Sequence, residues 1–163
     1  MNELKYIRVV LKHDRAINIP TMDSIVSKLD MIQVKAYNNQ ALLTVESVEI
    51  PEGIEIIDVG TFRGMLGLIS VKLPESLKVI RKGAFRRCFK LESVNFPDGL
   101  EAIEDNAFRQ TGLKSVNIKN SDILQGNPFS YCCNLKEFTM DGKTFISENG
   151  TTNVYADKQL QSS

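Results

Sequence analysis

Arg81-Lys82-Gly83-Ala84-Phe85-Arg86-Arg87-Cys88-Phe89-Lys90-Leu91-Glu92-Ser93-Val94-Asn95-Phe96-Pro97 is the stretch that decides the architecture. Its Gly-Ala-Phe has counterparts at Gly60-Thr61-Phe62, Asn106-Ala107-Phe108 and Asn127-Pro128-Phe129, spaced 21–23 residues apart. A period of that length marks a stack of like units rather than one folded globule.

Working outward from the phenylalanines, the units are residues 50–72, 73–95, 96–117 and 118–139. Each closes on an apolar triplet that runs into the next unit: Leu68, Val71, Leu73; Leu91, Val94, Phe96; Leu113, Val116, Ile118; and Leu135, Phe138, Met140. An earlier copy, Val45, Val48, Ile50, starts the stack before the first complete unit. The last two triplet members lie two residues apart, so both face inward from a short strand. A second apolar pair lies upstream, as Ile54 and Ile57, Leu77 and Ile80, Leu100 and Ile103, with Ile123 and Leu124 in the fourth unit. Each coil then buries about six side chains, too few to stand alone but enough on a neighbour. Two positions before each Phe come Gly60, Gly83, Asn106 and Asn127, the residue types that most readily take a left-handed backbone, so a positive φ or at least a tight turn is expected there. Three positions after it come Met65, Cys88, Thr111 and Cys132, small or soft groups suited to a buried stacking position.

The pattern A-F-x-x-C-x-x-L followed by L-x-x-L-x-L resembles the BspA-like class of leucine-rich repeats, carried best by Ala84-Phe85, Cys88, Leu91, Val94 and Phe96-Pro97. The resemblance covers roughly residues 45–140. It implies a β-rich repeat solenoid, a right-handed coil of about four 22–23-residue units, and a role in protein binding or adhesion without shared catalytic residues. Residues 1–44 are expected to form a mixed α/β N-terminal cap, 45–141 the solenoid, and 142–163 a C-terminal hairpin cap and tail. In the first cap, residues 6–11 read as a strand, 21–30 as a helix opened by Pro20-Thr21, and 31–37 as another strand. At the other end Asp141-Gly142 signals a hairpin between Glu137–Met140 and Lys143–Ile146, and Asn149-Gly150 a second one returning through Val154-Tyr155.

Composition excludes several classes. Lys plus Arg equals Asp plus Glu at 20 each, so no overall field favours nucleic acid or an anionic membrane. Three cysteines make no disulfide framework, and no stretch approaches a membrane span. The first residues, Met1 to Lys12, lack a secretory pattern, which makes the cytoplasm the default expectation and the cell surface the alternative if the chain belongs to a longer exported protein. No glycine-rich phosphate loop or calcium loop is present, and three cysteines with one histidine do not make a zinc site, so neither cofactor nor metal is expected. His13 beside Asp14 lacks a nucleophile, and Cys88 and Cys132 share one repeat position and read as core packing.

The basic run Lys78, Arg81, Lys82, Arg86, Arg87, Lys90 looks like a nucleic-acid patch when taken alone. One period on lie Glu101, Glu104 and Asp105; one period back lie Glu55 and Asp58. Stacked coils therefore place Lys78, Arg81 and Lys82 in alternating columns, each exposed pair contributing about 0.2–1 kcal/mol. Nucleic acid is accordingly an unfavoured partner. One column breaks the alternation: Arg63, Arg86 and Arg109 each follow a repeat Phe, with Arg87 alongside. These either fan into water or form a strip for an acidic partner. The strand face offers a second candidate, with Ser47, Ser70, Ser93, Ser115 and Glu137 in one column and Glu49, Lys72, Asn95, Asn117 and Thr139 in the next. The partner-binding candidates are thus Arg63, Arg86, Arg87, Arg109, Lys72, Asn95 and Asn117.

The leading expectation is a non-catalytic module that presents a ladder of side chains to a protein partner. The rivals are a surface adhesin or part of one, and an enzyme working around His13 with the repeats as a substrate platform. Oligomeric state is left open, since an uncapped sheet edge can pair with a second copy.

Overall fold

The computed structural model describes residues 3–13, 15–21, 23–27, 30–31 and 41–146. The chain enters as a hairpin, β1 (Lys5–Leu11) and β2 (Arg15–Thr21), followed by the two-residue β3 (Ile25–Val26) and a helical turn at Ala41–Thr44. Coils follow through β4 (Val45–Glu49), β5 (Ile56–Ile57), β6 (Ser70–Lys72), β7 (Val79–Ile80), β8 (Ala102–Ile103), β9 (Ser115–Ile118), β10 (Glu137–Met140) and β11 (Lys143–Ile146).

Three columns build the stack, one of them interrupted. On one side β3, β5, β7 and β8 form a parallel sheet, and a bridge from Ile103 to Leu124 carries it into the last coil. Opposite, β4 pairs β6 in parallel, Ser47 with Ser70 and Glu49 with Lys72, and β9 pairs β10, Ser115 with Glu137 and Asn117 with Thr139. Between them the phenylalanines stack: Phe62 on Phe85 and Phe85 on Phe108, each at 5.0 Å between ring centres, and Phe108 on Phe129 at 5.5 Å. Phe62, Phe85 and Phe108 are fully buried. The expected single row is what the structure holds, and the chain is a β-rich solenoid of stacked leucine-rich coils.

Charge columns form as the period requires. Lys78 pairs with Glu55 at 3.4 Å and Arg81 with Asp58 at 2.9 Å; Lys114 meets Glu92 at 2.8 Å, and Lys119 meets Asp98. Every one of these cations reaches back to an acid of the preceding coil. Lys82 makes no ion pair with Asp105; its backbone N–H donates instead to Glu104 Oε2 at 2.9 Å.

The strand-face columns are interrupted. Residues 92–96 form no strand, so Ser93 and Asn95 leave the expected ladder between β6 and β9. Phe96 fills a place that Leu73 and Ile118 occupy in neighbouring coils, and its ring lies edge-on to Phe108 at 5.4 Å and Phe129 at 6.1 Å. That contact, with the bond from Lys114 N to Glu92 O at 3.1 Å, draws the segment toward the later coils and away from β6. Val71, Val94 and Phe96 are only partly buried as a result, whereas Val48, Val116 and Phe138 are buried. The coil after Phe108 is a residue shorter, yet Gly112 there and Gly67 in a full-length coil make the same close approach: a Cβ would sit 2.3 Å from the carbonyl oxygen of Phe89 or Leu43, so only glycine fits.

Antiparallel strands flank both ends of this face: β1 pairs β4 as well as β2, and β11 pairs β10. The hairpin at Asp141-Gly142 has the expected strand bounds, with φ of 51° and 74° at the two turn residues. The helix expected over residues 21–30 is not formed as such. Thr21 ends β2, where Pro20 is tolerated on an edge strand, and Ile25–Val26 pair in parallel with Ile56–Ile57. Ser24 and Val26 accept bonds from Glu55, Ile56 and Asp58, so the segment begins the outer column rather than covering it. Met31, expected to open a strand, is helical. The rest of that strand and the second hairpin lie outside the described residues.

Candidate functional site

The turn after each phenylalanine is the most regular part of the molecule. The backbone N–H of Arg63, Arg86 and Arg109 donates to the carbonyl three residues earlier, on Gly60, Gly83 and Asn106, at 3.1–3.2 Å. Those three acceptor residues have φ of 59–61°, as expected from their type. Asn127 does not: it precedes Pro128, which disfavours helical backbone, and Gly126 takes the left-handed turn instead with φ 65°.

A second left-handed row was not legible. Gly64, Arg87, Gln110 and Tyr131, each two residues past the Phe, have φ of 75°, 65°, 58° and 57°. A glycine at one copy in four carries too little signal, and Arg, Gln and Tyr pay for this backbone. Bonds between coils hold it in place: Gly64 N to Arg86 O, Arg87 N to Arg109 O and Gln110 N to Ser130 O, at 2.8–3.0 Å.

These two rows fix the arginine strip. Arg63, Arg86 and Arg109 project from successive coils in register; Arg63 and Arg87 are exposed, Arg86 and Arg109 half-buried. Among the described residues no carboxylate pairs with any of the four, in contrast to Lys72, Lys78, Arg81, Lys114 and Lys119. The Nε atoms of Arg86 and Arg109 are buried without a hydrogen-bond partner. Burial of its stem, then the charges of Arg63, Arg109 and Arg87, lower the pKa of Arg86 from its ordinary value. The strip is therefore electrostatically frustrated, and an anion laid along it relieves that repulsion.

Aromatic rings flank it. The Arg109 guanidinium lies 4.3 Å from the Tyr131 ring centre and that of Arg87 5.8 Å from Phe89. In the fourth coil Ser130 replaces the arginine, its hydroxyl donating to Asn106 Oδ1 at 2.8 Å, so Tyr131 ends the row. A shallow hollow of about 190 Å³ opens beside Arg63, Lys82 and Arg86. Its lining carboxylate, Asp105, accepts from Asn127 N at 2.9 Å and Asn106 Nδ2 at 2.6 Å.

The strand-face candidates are placed differently. Lys72 donates to Glu49 at 2.8 Å, which raises the lysine pKa and lowers that of the carboxylate. Asn95, outside the ladder, and Asn117, within it, both line a cleft of about 180 Å³ at the sheet interruption.

Cys88 and Cys132 are buried, their thiols donating to the carbonyls of Phe62 and Phe108 at 3.2 and 3.1 Å. Burial pushes the Cys88 thiol up to about 12. Cys133 is exposed, and His13 sits in the β1–β2 turn with φ 66°. Among the described residues no three His, Cys, Asp or Glu side chains are grouped to hold a metal, and no helix is long and apolar enough to cross a membrane.

Residues 30–154 match the BspA type leucine rich repeat region, in six copies. Two solved structures are similar in fold. A leucine-rich repeat protein from Bacteroides ovatus is 22% identical with a TM-score of 0.59, the match covering 81% of this chain and 32% of that one. A leucine rich cell surface protein from Faecalibacterium prausnitzii is 24% identical with a TM-score of 0.47, the match covering 66% of this chain and 36% of that one. The chain thus spans about a third of the length of these solved proteins. No curated protein matches it.

Proposed function

Because the chain belongs to the BspA-type leucine-rich repeat family, we propose that it is a non-catalytic binding module, and that Arg63, Arg86 and Arg109, with Arg87 beside them, receive an acidic segment of a protein partner. The observation that carries this reading is the unneutralised column. Five other cations reach back to a carboxylate one coil away, while among the described residues none of these four arginines forms an ion pair. Guanidinium groups suit carboxylates because two donors meet two oxygens in one plane. Strained backbone at Arg87 and Tyr131, beside the strip, adds support: the fold holds costly conformations where the side chains are displayed. The strand face supports the reading less, since Lys72 is engaged by Glu49 and the exposed columns carry no aromatic anchor.

The test is binding of fluorescein-labelled poly-glutamate to the intact chain and to a variant carrying Arg63→Gln, Arg86→Gln and Arg109→Gln. The expected result is loss of saturable binding in the variant, with unchanged circular dichroism, and weakening of wild-type binding as salt rises. Equal affinity in the two proteins removes the strip as the site.

A further inference from the structure

We propose that the acidic segment is an α-helix lying along the solenoid axis, with carboxylates at positions i, i+3 or i+4, and i+7; this deepens the reading above and rests on it. The pitch of the strip carries the inference. Ring centres in the neighbouring row repeat at 5.0 Å, and bonds of 2.8 Å from Gly64 N to Arg86 O and from Arg87 N to Arg109 O tie the arginine turns to the same spacing. Three arginine stems therefore span about 10 Å in two steps.

On an α-helix, same-face residues alternate three and four apart, which at a rise of about 1.5 Å per residue gives steps averaging ~5.2 Å. The third carboxylate falls within about half an ångström of the third arginine. An extended strand presents same-face residues every ~6.7 Å, and by the third it is ~3 Å out of step. A charge-assisted hydrogen bond weakens over far less than that.

Arg86 and Arg109 have limited room to take up such a mismatch. With Nε of Arg86 and Arg109 enclosed, a carboxylate reaches them only end-on through the two terminal nitrogens. The Tyr131 ring, 57% exposed, packs against Arg109 and marks where the row stops, so a fourth acidic residue in register gains no partner. A nucleic-acid backbone is a poorer match: Glu104 and Asp105, in the columns beside the strip, oppose the broad phosphate surface of a duplex.

The test uses three peptides of equal length and acidic content and the full chain. In the first, a side-chain lactam fixes a helix with Glu at i, i+4 and i+7. In the second, the same helix carries its Glu residues spread around the circumference. The third alternates Glu with Thr and Val and is extended. Fluorescence anisotropy is expected to give the first peptide an affinity about tenfold or more above the other two, as the loss of one of three contacts implies, and to lose that preference in the triple arginine-to-glutamine variant. Equal binding of all three peptides, abolished in the variant, overturns the helical geometry and leaves the acidic strip standing. Absence of binding to every peptide overturns both readings. Tighter binding to a duplex DNA of equal charge overturns the choice of a protein partner.

Discussion

Replacing Phe85 with alanine removes the middle of the aromatic row and tests the stacked fold most directly. Its ring is fully buried and packs on two others, Phe62 and Phe108, each at 5.0 Å. Emptying a buried Phe site costs about 3–5 kcal/mol through lost transfer energy and the cavity left behind. Phe62 is equally buried but, among the described residues, stacks on one ring, that of Phe85. A ring pair adds about 0.5–1.5 kcal/mol beyond burial, so Phe85→Ala should exceed Phe62→Ala by that amount. Urea unfolding followed by circular dichroism and tyrosine fluorescence is the suitable assay, since the chain has no tryptophan. A stack whose coils touch only their neighbours should also lose cooperativity when a central interface is weakened. The Phe85→Ala transition is therefore expected to broaden or split, whereas Phe62→Ala shifts it with less broadening. A cost below about 2 kcal/mol at Phe85, or equal costs at the two sites, would refute the continuous row.

Three further outcomes follow from the turns and the thiols. Gln110 holds a left-handed backbone at φ 58°; such strain costs an ordinary residue about 1–2 kcal/mol, partly offset by glycine's extra chain entropy. Gln110→Gly is thus expected to raise stability by about 0.5–1 kcal/mol in urea titrations, and a loss would show that the strain is carried elsewhere. The Cys88 thiol keeps its proton up to about 12 against an ordinary 9.0. Its contribution is fully present below pH 9.0 and is lost as pH rises toward 12, at up to about 1.4 kcal/mol per pH unit. Wild-type stability measured across that window should fall more steeply than that of Cys88→Val, and parallel profiles would contradict it. Thiol titration of the native protein should find Cys133 fast and Cys88 and Cys132 slow.

The repeat was legible because stacking imposes the same demand on each coil. A phenylalanine, an apolar triplet and a turn former recur in phase, so the row of rings, the charge pairs of Lys78 and Arg81, and the turns at Gly60, Gly83 and Asn106 could be read from the sequence. The first outer strand was missed because Ile25 and Val26 stand outside the period, after a hairpin rather than a coil. The gap at residues 92–96 depends on where the ring of Phe96 points, which spacing does not determine. In the candidate site the arginine column was visible as a break in charge alternation. The buried Nε atoms, the Tyr131 stop and the left-handed row through Arg87 arise from side-chain packing and coil-to-coil bonding, for which Gly64 was the single sequence hint.

Like-on-like packing also makes this molecule modular in length. Duplicating residues 73–95 would repeat the same ring contact and the same backbone bonds at the one new junction. The product would be a longer rod with three more guanidiniums, two of them, from the second Arg86 and Arg87, in the strip. Valency and reach can therefore grow together, one coil at a time, once the copied Lys78 and Arg81 are exchanged for acids that keep the charge columns alternating.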